Sequence, residues 1–489
     1  MKLADPKNPV RLKWLSDQGL RLDSSSYLSG AFETHRLLER LPGTQPLNQL
    51  VRQPLGIFHA GRVTRRWVSD FDHGIPFLSS TDMLEADLSN LSLISNSVAD
   101  INPRLLIERD WTLITRSGQV LGRVAYTRPT MDGLACTEDV LRVVADRDKI
   151  HPGYLNAFLA SRYGVSTVVN SKYGTSIPHL EPPHLADLPV PRFGAAVEEE
   201  IHECVQAAAD LRADFQRGIT AATRDLFESA GLPELADFRW DHEPRDTGFH
   251  ITGLSQTTLR AMNLTPRSGR VLDKIRSVPH QKLGEICAGG QFGSGVRFAR
   301  VDADQEHGAK LIGQRQGFWL RPEGRWINPA MAPGDIFAKN ESVLVASQGT
   351  LGENEVFCRA IFVTGAWLDY VYTQHFLRIV SGDPDFPGAY LFAFLRSEAA
   401  FRVFRSMSTG SKQQDIHEVL RRQIPVPECT LCDRERIAET VRAAYRARDE
   451  ADGLEDRAQE LLDVAMRDAT GTHLQLNNHL SQRPATVDG

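Results

Sequence analysis

What the chain lacks narrows its role first. No stretch supplies the ~18 uninterrupted apolar residues of a membrane-spanning helix. The opening MKLADPKNPVRLKWLSDQG carries no apolar run of the secretory kind, so a cytoplasmic chain without a membrane partner is expected. Six scattered cysteines in 489 residues are too few for a disulfide scaffold and fit a reducing compartment. The fifteen histidines form no ligand array at two- or four-residue spacing, and no carboxylate–carboxylate–lysine nuclease pattern emerges. Cys429-x-x-Cys432 has ligand spacing but no second pair follows it, so no metal is expected. GGQFGSG at 289–295 lacks the Gly-Lys-[Ser/Thr] ending that sets a lysine on phosphates, and reads as a turn or surface loop.

An excess of basic charge is also missing, since the formal net charge is −6. Location qualifies that figure. Two long helical stretches carry eight acids against three arginines and eleven against seven, jointly −9, which leaves +3 for the remainder. Any nucleic-acid surface would have to be local.

Those two stretches organise the chain. In 195–230, Val197, Ile201, Cys204, Ala208, Leu211, Phe215, Ala222 and Leu226 recur at alternating steps of four and three, with Gly218 in one slot. In 433–468, Ile437, Val441, Ala444, Ala451, Leu454, Ala458, Leu461 and Ala465 do the same. Heptad-like seams this narrow most simply pack against each other; two surface helices on separate domains are the alternative. Before each helix come short alternating strands, among them DWTLITRSGQVLGRVAY as a strand pair and VLRVVAD as a buried strand, then PGYLNAFLASRYG as one helix.

The chain repeats itself. Thr137, Leu141-Arg142-Val143, Tyr154-Leu155, Ala157-Phe158-Leu159, Gly174 and Pro189-Val190-Pro191 recur as Thr373, Leu377-Arg378-Ile379, Tyr390-Leu391, Ala393-Phe394-Leu395, Gly410 and Pro425-Val426-Pro427, always 236 positions on. Upstream, Gly118 and Leu121-Gly122 answer to Gly349 and Leu351-Gly352, and Leu50 to Leu283. This spacing makes the chain a tandem duplication of a globular domain followed by a long helix. The expected order is an arm (1–45), a first domain (46–194), a central helix (195–231), a linker (232–279), a second domain (280–430), a distal helix (431–470) and a polar tail (471–489). The fold class is α+β, with the two helices pairing as an antiparallel coiled coil. A helix of about 34 residues spans on the order of 50 Å, roughly one to one and a half turns of a DNA duplex.

Each copy closes on Gly-[Ser/Thr], a short helix, then Leu/Ile-Pro-Val-Pro and a long helix: Gly174-Thr175-Ser176 to Leu188-Pro189-Val190-Pro191, and Gly410-Ser411-Lys412-Gln413-Gln414 to Ile424-Pro425-Val426-Pro427. With the duplication, this resembles the specificity (S) subunit of Type I restriction-modification systems over about 46–470. The resemblance implies two target-recognition domains, each reading half of an interrupted double-stranded DNA sequence, with the helices setting the gap and docking two methyltransferase subunits. S-adenosylmethionine would then sit on those partners, with no cofactor on this chain, and the chain would be no enzyme but a part of antiviral defence; whether a restriction subunit joins stays open. The first copy departs from the pattern, with Ser176-Ile177-Pro178-His179 where the second has Lys412-Gln413-Gln414-Asp415.

Glycine-marked loops supply candidate readers, because arginine reads guanine and side-chain amides read adenine in the major groove. In the first domain they are Arg62, Arg65, Arg66, Arg116, Ser117, Gln119, Lys172, Thr175 and Ser176. In the second they are Arg297, Gln314, Arg315, Gln316, Ser347, Gln348, Thr350, Lys412, Gln413 and Gln414. The Gly118 and Gly349 loops stand out, being equivalent in place and unlike in side chains. Glu181-Pro182-Pro183-His184 faintly resembles the catalytic motif of amino methyltransferases, but no glycine-rich cofactor loop precedes it, and Pro182 reads as the start of a short helix. A two-headed scaffold that binds proteins or RNA is the competing reading.

Overall fold

The computed structural model of the chain describes residues 10–17, 27, 30–118, 120–171, 179–252, 257–334 and 336–471. Two compact units emerge, one from Met1–Leu84, Leu91–Ala213 and Glu450–Gly489, the other from Glu85–Asn90 and Asp214–Asp449. Among the described residues no helix is long and apolar enough to cross a membrane.

The first unit is built on two small sheets. One has the order Ile57–Phe58, Val140–Val143, Thr112–Thr115, Val124–Tyr126, all antiparallel. Thr112–Thr115 and Val140–Val143 are buried throughout, so both faces of this sheet are covered. The helix Pro152–Ala160 supplies part of the cover through Tyr154, Leu155, Phe158 and Leu159. The second sheet has the order Trp67–Val68, Leu93–Ser95, Gly74–Leu78, Ala135–Cys136, and its last pairing is parallel, with Phe77 opposite Ala135. Arg142 ties the sheets together. It is fully buried and donates to the carbonyls of Thr137 (2.9 Å), Val140 (2.7 Å), Leu105 (3.3 Å) and Cys136 (2.6 Å).

The second unit repeats this design in register. Its main sheet runs Gln291–Ser294, Phe376–Val380, Ser342–Ala346, Ala360–Val363, and Leu344 faces Arg378 as Leu113 faces Arg142. Leu311 opposite Val371 repeats the parallel pairing. Arg378 is again buried and donates to Phe337 (2.8 Å), Ile336 (2.8 Å) and Tyr372 (3.4 Å). Tyr154 donates to the Pro191 carbonyl at 2.6 Å, and Tyr390 to that of Pro427 at 2.8 Å. A buried hydroxyl needs such a partner, and this one fastens each domain to the segment leading into its long helix.

Several expectations change. The helix expected over 152–164 is two, Pro152–Ala160 and Arg162–Asn170. Ser161 turns extended between them and accepts from the Gly164 N–H, as Ser397 does from Ala400, which makes each serine an N-cap. GGQFGSG is mostly the edge strand Gln291–Ser294 rather than a loop; a Cβ on Gly290 would lie 2.1 Å from the Val380 carbonyl oxygen, so the glycine permits the close pairing. Leu283 corresponds to Leu47 rather than Leu50, because Leu47 donates to the Leu188 carbonyl (2.9 Å) and Leu283 to that of Ile424 (2.8 Å).

The arm and the linker are also part of the repeat. The helix Ala31–Arg40 packs on Arg162–Asn170, and Pro266–Arg276 packs on Glu398–Ser406. Leu38 in one and Val271 and Ile275 in the other are fully buried. Within the stretch expected as a linker, Leu232, Leu235 and Phe238 join the same buried cluster, so its described parts contribute to the core.

The long helices are Ala195–Ser229 and Leu431–Thr470. Within the first unit Arg212 pairs with Asp452 and Glu455, and Arg457 lies 3.6 Å from Glu200. Within the second, Gly218 meets Ala444 and Arg436 pairs with Asp225 at 2.8 Å. Rising numbers on one helix meet falling numbers on the other, so the pairing is antiparallel. Both helices bury more than a seam. Val205, Ala209, Ile219, Thr223 and Phe227 form a second buried stripe, and Thr223 donates to the Ala393 carbonyl at 2.9 Å. Arg448 fills a seam slot, fully buried between Trp367 (4.1 Å) and Tyr445 (4.6 Å). Toward the end Leu462 and Met466 are buried in place of Leu461 and Ala465, the drift expected of a helix with 3.6 rather than 3.5 residues per turn.

One head-to-helix joint differs between the copies. Asp110 (φ 67°) and Glu341 (φ 60°) occupy the same register position with left-handed backbone. Glu341 accepts from Arg442 (2.7 Å) and from the Ala389 N–H (3.3 Å). In the first copy the Gly153 N–H instead reaches His202 Nδ1 at 3.1 Å, His202 stacks on His151 at 5.1 Å, and Asp110 pairs with Arg147.

Candidate nucleic-acid interface

In the first unit the Gly118 loop is pinned from below. Ser117 bridges to His179, and the Leu180 N–H reaches the Arg116 carbonyl at 2.9 Å. Arg116 is committed inward: it donates to the Leu180 carbonyl (3.0 Å) and the Glu138 carbonyl (3.4 Å) and pairs with Glu181. Ser117 donates to Asp139 at 2.9 Å. Arg65 holds Thr137 and Glu138, both at 3.1 Å, and lies over the Phe77 ring. Burial pushes the Glu138 carboxyl up, but its backbone hydrogen bond and Arg65 outweigh that and lower it. His59, 3.4 Å from Glu181, is lowered by burial and by the Arg116 charge. Arg62 and Arg66 are exposed beside the half-exposed Trp67. Gln119, Lys172, Thr175 and Ser176 lie outside the described residues.

The second unit brings three of the expected loops together. The Gln314 amide donates to the Gln348 carbonyl (2.8 Å) and accepts from its N–H (3.2 Å). Gly349 and Gln414 exchange backbone bonds of 3.2 and 2.8 Å. From the rim inward, Arg300 donates to Gln374 Oε1 (3.3 Å), Gln374 Nε2 meets His375 Nε2 (3.3 Å), and His375 Nδ1 meets Gln348 Oε1. Gln348 Nε2 then reaches Asp415 at 3.4 Å. These roles are mutually consistent with a neutral His375 ring protonated on Nδ1. Arg297, Phe298, Arg300 and Gln374 line a cavity of about 350 Å³. Lys412, Gln413 and Thr350 are exposed, and Arg315 and Gln316 are half-buried at the turn Gln316–Phe318.

Two expected readers are framework instead. Ser347 is 1% exposed and donates to the His375 carbonyl at 2.6 Å. Gln414 is 4% exposed, and its side-chain oxygen accepts from Arg260 at 2.7 Å. Both hold loops in shape from beneath. Arg260 and Asn263, from the stretch read as linker, brace the hairpin Ser408–Gly410 and Gln414–Ile416; Asn263 donates to the Ser406 (2.6 Å) and Ser408 (2.9 Å) carbonyls. Reading by type of residue also passed over Glu138-Asp139 and Gln374-His375, which follow the repeated Thr137 and Thr373. The offset comparison stops at those threonines because the next two residues differ.

Two side motifs have local structural partners. Pro182 opens the helix Pro182–Ala186, whose capping Glu181 and His184 serve each other's backbone. Cys429 is buried, its Sγ 3.3 Å from the Tyr390 oxygen and donating to the Leu226 carbonyl at 3.6 Å, while Cys432 is exposed. Among the described residues no group of three or more His, Cys, Asp or Glu side chains could hold a metal ion.

The chain is thus a tandem-duplicated α+β protein: two heads with one skeleton and unlike loop chemistry, on antiparallel long helices. Among solved structures it is similar to the Type I restriction-modification S subunit from M. genitalium (10% identity, 88% of this chain and 96% of that one, TM-score 0.35). It is also similar to the HsdS subunit from Thermoanaerobacter tengcongensis (14%, 88% and 98%, TM-score 0.26). A third similar chain comes from a study of complex assembly and conformational transition of the type I R-M system (14%, 88% and 99%, TM-score 0.27). No known sequence family matches the chain, and no curated protein does.

Proposed function

We propose that this chain is the non-catalytic DNA-specificity subunit of a Type I-like restriction-modification or methylation complex. Each head reads one half of an interrupted target, and the helix pair, as a coiled coil, sets the gap and docks methyltransferase subunits that carry S-adenosylmethionine. The complex acts in cytoplasmic antiviral defence. One observation carries this reading. Positions fixed by identical register carry different polar side chains at the loop clusters: Ser117, Glu138 and Asp139 in one copy, Gln348, Gln374 and His375 in the other. A shared skeleton with unlike tips suits an asymmetric bipartite sequence, because base edges are told apart by their donor and acceptor patterns. The exposed Arg62, Arg66, Arg297 and Lys412 suit phosphate contacts, which position a duplex without reading it.

Long-read methylome sequencing of cells with and without the chain, in the presence of its methyltransferase partner, tests this. Loss of N6-methyladenine from one interrupted motif on deletion is the expected result. Unchanged methylation, or loss from a continuous motif, overturns it and favours the two-headed scaffold.

A further inference from the structure

The two loop clusters differ most at one dipeptide. Thr137 and Thr373 are equivalent, and so are the residues after them: Glu138 with Gln374 and Asp139 with His375. The framework around them is the same, since the Arg116 N–H reaches the Asp139 carbonyl and the Ser347 N–H that of His375, both at 2.9 Å. Each dipeptide is the hub of its cluster. Glu138 takes the edge arginine Arg65 and Gln374 takes Arg300; Asp139 takes the loop residue Ser117 and His375 takes its counterpart Gln348. All four side chains are half-buried.

The chemistry left over is opposite in the two heads. Glu138 Oε1 and Asp139 Oδ2 accept from no other described residue, so the first head offers carboxylate acceptors. In the second head the hub is neutral. Gln374 leaves the Arg300 charge uncompensated, Gln374 and Gln348 each keep a spare amide N–H, and Arg297 stands exposed beside them. That head offers donors.

We propose that Glu138-Asp139 and Gln374-His375 determine the base preference of their heads. The first accepts from the exocyclic amino group of a cytosine or adenine, and the second donates to the N7 and O6 acceptors of a guanine. This rests on the DNA-reading function above and deepens it.

The test exchanges the dipeptides in the full chain with its methyltransferase partner. E138Q/D139H alters the bases of one half of the methylated motif, and Q374E/H375D alters those of the other half. Methylation of the original site falls about tenfold or more in each case, the usual consequence of one mismatched base pair. An unchanged motif in both exchanges overturns the proposal and leaves the DNA-reading function standing. If the wild-type complex selects no sequence from randomised duplexes, that function itself fails and the inference with it. Should either exchange fail to fold, the isosteric single changes E138Q and Q374E go through the same duplex selection; base preferences unchanged at every position overturn the proposal.

Discussion

Arg396 closes on Asp87 across 309 positions of chain, with Nε at 3.2 Å and Nη2 at 2.8 Å from the same carboxylate oxygen. The segment Glu85–Asn90, drawn from the first copy, folds into the second unit around this pair. Gln216 Nε2 reaches the other carboxylate oxygen at 3.0 Å, and the Ala86 N–H reaches the Phe318 carbonyl at 2.9 Å. Burial pushes the Asp87 carboxyl up, yet Arg396, Ser89 and Gln216 outweigh it and hold the group well below the usual carboxylate range. Asp87→Ala strands a guanidinium that is 5% exposed. The expected cost is about 3 kcal/mol, the low end for breaking a buried pair, because Asp87 keeps 29% of its side chain exposed. Urea unfolding of D87A, R396M and the double variant checks this, and a double-variant loss equal to the sum of the singles contradicts the pairing. Since the folded carboxyl titrates lower than the unfolded one, the contribution is present above the ordinary carboxyl pKa of about 3.9 and is lost as pH falls below it.

Gly218 faces Ala444, and a Cβ added to it would lie 2.8 Å from the Ala444 methyl carbon. Helix propensity alone favours Gly218→Ala by about 1 kcal/mol. Overpacking, at roughly 1–3 kcal/mol, opposes it, and with both partners on helix backbones neither methyl can turn aside. G218A is therefore expected to lower the melting temperature. G218A/A444G moves the methyl to the other helix and is expected to recover most of the loss; a double variant no more stable than G218A rules out this contact as the cause.

The joint of the first head is expected to be acid-sensitive. His202 Nδ1 accepts from the Gly153 N–H, and burial, then the neighbouring His151, lowers its pKa. Asp110 and Glu203 pull the other way, and Arg147 adds to the lowering. A base with a lowered folded pKa takes up its proton later than the unfolded chain does. Stability is thus unaffected well above the ordinary histidine pKa of about 6.5 and declines as pH falls below it. His202→Asn keeps an acceptor near Nδ1 without the titration. The expected result is a shallower loss of stability between pH 7 and 5, with a difference from wild type within about 0.5 kcal/mol at pH 8. A slope identical to wild type assigns the acid sensitivity elsewhere.

The duplication was legible because it is written in core residues. Arg142 and Arg378, Tyr154 and Tyr390, and the two Pro-Val-Pro segments hold places where one side chain fits, so their spacing survives at 236. The helices Ala31–Arg40 and Pro266–Arg276 share a place in the fold without sharing a sequence. Packing there asks only for an apolar stripe, which Leu38 meets in one and Val271 and Ile275 in the other, and comparison by identity passes over it. The interface divided similarly. Searching loops for polar residues took in Gln314, Gln348, Ser347 and Gln414 alike, because polarity does not distinguish a side chain that faces solvent from one that braces a turn, as Gln314, Ser347 and Gln414 do. Glu138 and His375 stood outside that search because they follow a strand-end threonine rather than a glycine.

Tyr154 and Tyr390 each reach a carbonyl 37 positions further along, so each head is latched by a bond lying wholly within its own block of sequence. Such a block can be inherited as one piece. A recombination joining two related genes at matching points outside the latch delivers tyrosine and proline together, and the incoming head arrives with its closure intact. The joints do not travel with the latch: Glu341 needs Arg442 on the long helix, and Gly153 needs His202, so a head exchanged without its helix keeps its closure but loses that bond.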